Sequence, residues 1–205
     1  MEQIKVVGFD CDGVMFDTKN ANIAYYNRIL EHFGKPEMTS EQFEFTHTHT
    51  VYESIEYLFQ GNLDKINAVH EVRKQISYMP FLKLMEIEPY LKPLLKTLRP
   101  EHKTAVATNR TDTITSVLFE HNLQEYFDFV VSALDVEKPK PYPDPIIRIL
   151  NHFQVEPGEM IYIGDSELDQ IASKSAGVFF IAYKNPGLYA DFHITSLKEI
   201  NQILF

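Results

Sequence analysis

Five short apolar runs recur along the chain: IKVVGFD at 4–10, KTAVATN at 103–109, FDFVVS at 127–132, MIYIGD at 160–165 and VFFIAY at 178–183. Runs of this length and density are those of strands buried on both faces. Between them lie segments with helical spacing. ITSVLFEHNL places Ile114, Val117, Leu118 and Leu123 on one side, and DPIIRILNHF does the same with Ile146, Ile147, Leu150 and Phe153. Pro145 suits the first turn of the second segment. After Ser166 a further helix is expected, with Leu168, Ile171, Ala172 and Ser175 as its packing stripe. Strands and helices in alternation predict an α/β fold with a mostly parallel sheet.

Residues 18–86 break that alternation. Ile23, Tyr26, Leu30 and Phe33 share a helical face that Gly34 terminates. A second face runs through Val51, Ile55, Leu58 and Phe59, and a third through Leu63, Ile66, Val69, Val72 and Ile76. No strand-like run separates them, so the interval reads as an all-helical insertion after the first strand. The expected organisation is a core of residues 1–17 and 87–205 carrying a helical cap at 18–86. The stretch PYLKPLLKTLRPEHK then returns the chain to the next strand as a short helix, and FEFTHTHTVYES inside the insertion reads as a loop.

Composition narrows the field. The 205 residues are 44% hydrophobic, enough for a conventional core, and carry a net charge of −10. That sign disfavours a general nucleic-acid or anionic-membrane surface. One cysteine, Cys11, supplies neither an intrachain disulfide nor a zinc-ribbon spacing. No apolar stretch approaches the roughly 18 residues that cross a bilayer, and 4–9 is too short for a signal-peptide core. The expectation is a soluble cytoplasmic protein with neither nucleic acid nor membrane as partner; monomer and homodimer stay open.

The chemistry-bearing residues collect after the strands. Asp10 and Asp12 follow the first, two apart and so on one side of an extended chain, with Gly13 allowing a tight turn. Such acids repel unless a cation neutralises them or they divide the roles of base and acid. Asp165 ends the fourth run, and Asp169 lies one turn into the helix after it. Ligands of parallel sheets bind beyond the carboxyl ends of the strands. Asp10, Asp12 and Asp165 can therefore converge as hard oxygen donors suited to Mg²⁺. Thr108 and Asn109 end the second run, where hydroxyl and backbone donors can hold phosphoryl oxygens. Lys140 sits among Pro141, Pro143 and Pro145, which restrict its backbone. Taken singly, each of these residues could be a solvated turn or a surface charge.

Taken together, FDCDGVMFD at 9–17, ATN at 107–109, KPYPDP at 140–145 and GDSELD at 164–169 resemble the four ordered motifs of the haloacid dehalogenase-like superfamily. The resemblance spans nearly the whole chain and is to its phosphatases with an inserted helical cap, the phosphoglycolate phosphatase and β-phosphoglucomutase branches. It implies a three-layer Rossmann-like core, Mg²⁺ as the cofactor and a small phosphorylated metabolite as the substrate. It further implies Asp10 as nucleophile, Asp12 as acid and base, and Thr108 and Asn109 as phosphoryl grips. Lys140 would offset charge on Asp10 and the phosphate, with Asp169 in support. Mg²⁺ would lie on Asp10, the Asp12 carbonyl and Asp165.

The expected activity is Mg²⁺-dependent hydrolysis of phosphate monoesters through an aspartyl-phosphate. A sugar-phosphate mutase and a non-catalytic binding protein are the alternatives. A mutase would need cap groups that retain a doubly phosphorylated intermediate, for which His70, Arg73 and Lys74 are available. The glycine-centred specificity feature of such caps is missing from FEFTHTHTVYES, so the substrate does not transfer with the resemblance. Arg110 beside the phosphoryl grips, and His47 and His49 in the cap, are candidate substrate contacts. Cys11 reads as a buried small hydrophobe.

Overall fold

The computed structural model describes residues 3–48, 51–60, 62–99 and 101–204, with the side chains of residues 47, 48, 63 and 64 also left aside. The chain divides into two compact units, Met1–Asp17 with Glu86–Phe205, and Thr18–Met85.

In the first unit the strands are β1 (Val6–Phe9), β2 (Phe16–Asp17), β3 (Glu86–Ile87), β4 (Lys103–Ala107), β5 (Phe129–Val131), β6 (Met160–Gly164), β7 (Phe179–Tyr183) and β8 (Phe192–Ile194). Six of them form one parallel sheet in the order β5-β4-β1-β6-β7-β8, and β2 pairs antiparallel with β3. From β1 the chain builds outward through β4 and β5, then returns to the opposite side of β1 for β6, β7 and β8. The reversal leaves a crevice where the carboxyl ends of β4, β1 and β6 meet, the place where doubly wound sheets bind ligands. The residues that follow β1, β4 and β6 are Asp10, Thr108 and Asp165.

β1 and β6 are buried along their whole length, as central parallel strands require. Val6, Ala105, Val131, Ile146, Ile149, Met160 and Tyr162 belong to one buried cluster on this sheet. The helix Asp144–Phe153 turns Pro145, Ile146, Ile149 and Leu150 inward and leaves Ile147 40% exposed, one position away from the expected stripe.

The second unit consists of α1 (Lys19–His32), α2 (Ser40–Thr48), α3 (Val51–Leu58) and α4 (Leu63–Gln75), followed by a 3-10 turn over Met79–Leu84. Tyr26, Ile29, Leu30, Ile55, Leu58, Phe59 and Val69 form its own core, with Phe33 edge-on to Phe59 at 5.3 Å between ring centroids. α2 corrects the expected loop at 43–54. Thr39 Oγ1 accepts from the Gln42 amide at 3.2 Å, and Gln42 Oε1 accepts from the Thr39 amide at 2.9 Å. That reciprocal box nucleates a helix where the apolar pattern is weak. Among the described residues no helix is long and apolar enough to cross a membrane.

The three strands that the apolar pattern does not announce are β2, β3 and β8, each two or three residues long. Strands this short are defined by their partners, not by a periodicity.

Candidate active site

Asp10 extends β1 by one residue, its amide donating to the Ile163 carbonyl at 2.9 Å. Its Oδ1 accepts from the Cys11 amide at 2.7 Å and from Lys140 Nζ at 2.8 Å. The Lys140 ammonium also donates to Asp169 Oδ1 at 2.6 Å and to the Tyr162 hydroxyl at 3.0 Å, so its three protons are all engaged. The Tyr162 hydroxyl in turn donates to the Ala107 carbonyl at 2.7 Å. Lys140 is buried, so its position is over-determined from three sides.

The third partner, Asp169, comes from the helix Glu167–Ala176. Ser166 caps that helix, and Asp169 Oδ2 accepts from the Ser166 amide at 3.1 Å and from its hydroxyl at 2.5 Å. Both Asp169 oxygens are therefore occupied, one by the cap and one by Lys140. The demand that Asp169 face inward sets the rotation of the helix. Asp169, Ala172 and Ser173 are buried, while Ile171 is 39% exposed and Ser175 is exposed, against the expected stripe. An inward Asp169 held by a buried ammonium outweighs the smaller gain from burying Ile171.

Asp165 completes an acidic group. One oxygen each of Asp10, Asp165 and Asp169 lie within 4.8 Å of one another. The approach depends on two glycines: a Cβ on Gly13, whose φ is +82°, would overlap the Asp165 carboxylate, and one on Gly164 would overlap Asp169. Three carboxylates face one ammonium, which leaves negative charge uncompensated. Burial, then the nearby Asp169, pushes Asp165 up to about 7, against the pull of Lys140. Burial likewise holds Asp10 well above the ordinary carboxylate range despite Lys140. Burial would lower Lys140, but Asp10 and Asp169 outweigh it and keep the ammonium charged.

This donor set fits a hard divalent cation in charge and chemistry. Asp169 already accepts from Ser166 on one oxygen and from Lys140 on the other, so Asp10 and Asp165 are the less engaged carboxylates of the three.

Thr108 is buried at the end of β4; its amide donates to the Val131 carbonyl at 3.0 Å. Asn109 Nδ2 donates to the Lys140 carbonyl at 2.9 Å, tying this strand end to the lysine segment. Arg110 grips Asp12 with two bonds, Nε to Oδ2 and Nη2 to Oδ1, each 2.7 Å. Asp10, Asp12, Thr108, Asn109, Arg110 and Lys140 line one cleft of about 220 Å³, which Ser166 and Leu168 complete.

Of the residues anticipated from sequence, all those after the strands gather here. His47 falls within α2, not on a loop, and its side chain, like the whole of His49, lies outside the described residues. Tyr162 was not anticipated. Inside an apolar strand its ring reads as core, and a hydroxyl in a run buried on both faces is the signal that it needs a polar partner. Cys11 is buried, and burial together with Asp12 raises its thiol well above the usual range, so it is no thiolate.

The chain is similar to known proteins over most of its length. The family model described as haloacid dehalogenase-like hydrolase matches residues 7–183. A phosphoglycolate phosphatase of Nitrosospira multiformis is 28% identical, covering 98% of this chain and 96% of its own length. The pyrophosphatase PpaX of Bacillus velezensis is 27% identical over 86% of this chain and 81% of its own. Among solved structures, a subfamily IA hydrolase of the same superfamily from Geobacter sulfurreducens superposes with a TM-score of 0.88. It is 36% identical, with 98% of this chain and 97% of that one covered.

Proposed function

The chain belongs to the haloacid dehalogenase-like hydrolase family and is a phosphatase of it, and we propose that it hydrolyses small phosphate monoesters, with Mg²⁺, through an aspartyl-phosphate on Asp10. The observation that carries the reading is the fixed carboxylate of Asp10 at the end of β1, oriented by a buried lysine and open to a cleft lined by hydroxyl, amide and acid. The likeness to a phosphoglycolate phosphatase over almost the whole chain makes 2-phosphoglycolate the first substrate to try. Grip on the phosphate alone treats all monoesters alike. The helical unit, residues 18–85, is assigned a share of the discrimination among them.

Asp10 Oδ1 is held by Lys140 and the Cys11 amide, which leaves Oδ2 as the attacking oxygen. Attack forms an Oδ2–P bond and breaks the bond from phosphorus to the leaving oxygen. Asp12 delivers its proton to that oxygen, then takes one from the water that attacks the phosphoenzyme; the second attack frees Asp10 and inorganic phosphate. Thr108 and the Asn109 amide hold the equatorial oxygens, and Lys140 balances the charge that accumulates on them. Asp10, Asp165 and the Asp12 carbonyl would hold Mg²⁺, which supplies the charge that lets an anionic ester approach two carboxylates.

The test is phosphate release from a panel of phosphorylated acids, sugars and nucleotides with Mg²⁺. At least one should turn over, EDTA should suppress it, and Asp10→Asn should abolish both turnover and phosphoenzyme. No release across the panel, or near-normal turnover in Asp10→Asn, would sink the assignment.

A further inference from the structure

Resting on the phosphatase reading, the geometry points to Arg110 as a receptor for a second anionic group of the substrate, with Asp12 as the place where its guanidinium waits. A carboxylate or a second phosphate near the ester would draw the fork off Asp12.

Three observations lead there. The first is the bidentate contact itself: two bonds of 2.7 Å occupy both Asp12 oxygens. To act on a leaving group Asp12 must carry a proton, and the oxygen that carries it is a donor and no longer a good acceptor for its arm of the guanidinium, so at least one bond must open during turnover. The second is the asymmetry of exposure. The Arg110 side chain is 9% exposed and the Asp12 side chain 36%, so the pair meets solvent on the cleft side, where an anion would arrive.

The third is that the backbone of Arg110 is pinned while its side chain reaches across. Its amide donates to Thr108 Oγ1 at 3.1 Å, and its carbonyl accepts from the Ala133 amide at 2.9 Å. Nη1 donates to Thr113 Oγ1 at 3.2 Å. A swing of the guanidinium therefore needs no movement of the phosphoryl-gripping strand end. A planar fork with paired donors matches a carboxylate or phosphate in the same way that it matches Asp12. An ester with a neutral tail offers nothing to exchange for the Asp12 contact. One carrying an anion does, and it releases Asp12 in the same event.

Binding separates this from the catalytic reading. With Mg²⁺ present, calorimetric affinities of phosphonoacetate and methylphosphonate, two unreactive phosphonates with and without a carboxylate, are compared in the natural protein, Arg110→Gln and Arg110→Lys. The natural protein should favour phosphonoacetate by about 10- to 100-fold, the worth of a charge-assisted hydrogen bond pair. Arg110→Gln should bring that ratio to within about twofold, and Arg110→Lys should hold an intermediate one. Equal affinities in the natural protein, absence of binding by either phosphonate, or a preference that survives in Arg110→Gln would each overturn the proposal. A preference that depends on Arg110, in a protein that releases phosphate from no ester, would instead uphold the receptor and sink the phosphatase assignment.

Discussion

Replacing Lys140 by Met tests the electrostatic account of the site most directly. Met keeps most of the aliphatic stem, so packing changes little, while the ammonium and its three bonds are lost. Asp10 and Asp169 are buried, and the group they form with Asp165 would then hold three carboxylates and no counter-charge. Breaking a buried pair by removing one partner costs about 3–5 kcal/mol. For a chain of this size that corresponds to a fall in melting temperature of roughly 10 °C.

The loss should depend on pH. A carboxyl whose folded pKa lies above its unfolded value takes up a proton on folding, so stability present at low pH is lost as the pH rises through the folded value. Without Lys140 the carboxyls of Asp10 and Asp165 rise further, and the gap between variant and natural protein should widen from pH 5.5 to pH 8. Calorimetric melts of both proteins in EDTA at the two pH values measure it. Adding Asp169→Asn to Lys140→Met removes one of the stranded charges and should recover part of the loss, a coupling that a double-mutant cycle reads out. A variant that melts with the natural protein at both pH values, or one whose deficit is the same at pH 5.5 and 8, would show that Lys140 is not the counter-charge of this cluster.

Gly13→Ala should cost about 1–2 kcal/mol from the left-handed backbone alone and weaken Mg²⁺ binding by displacing Asp165. Gly34→Ala, at φ +64° with nothing near its Cβ position, should show only the stability cost, and equal Mg²⁺ affinities in the two variants would contradict the clash. Because Asp165 stands at about 7 without metal, Mg²⁺ must displace a proton below that pH. Its affinity by titration calorimetry should fall by at least about tenfold per pH unit well below 7, and a constant affinity between pH 5 and 8 would refute the raised carboxyl. Asp12→Asn should keep the fold and lower kcat by about 10²–10⁴-fold, the range of a lost proton-transfer group; a smaller effect on a poor leaving group would remove Asp12 from that role.

How much of this could be read without coordinates follows from the range of each interaction. Buried parallel strands need unbroken apolar runs, so β1, β4, β5, β6 and β7 stand out along the chain, and the turn residues after them mark the crevice. Asp10, Asp12, Thr108, Lys140 and Asp165 are recognisable for that reason, because each follows such a run or lies in a stiff proline segment. α2 was present in the sequence as Thr39-Ser40-Glu41-Gln42, a capping box that hydrophobic periodicity overlooks. Other features depend on partners distant in the chain. β8 exists by pairing with β7, and β2 with β3 across an insertion of 68 residues.

The tertiary structure alone decided which charges meet. Arg110 and Asp12 are 98 residues apart, and Lys140 and Asp169 are 29 apart. Their spacing says nothing of a shared bond until the sheet order brings β4, β1 and β6 side by side. The orientation of the helix after β6 was settled the same way. Its apolar spacing favours burying Ile171, yet a buried ammonium requires Asp169, and an ion pair in a dry interior is decided by geometry that only the folded chain supplies.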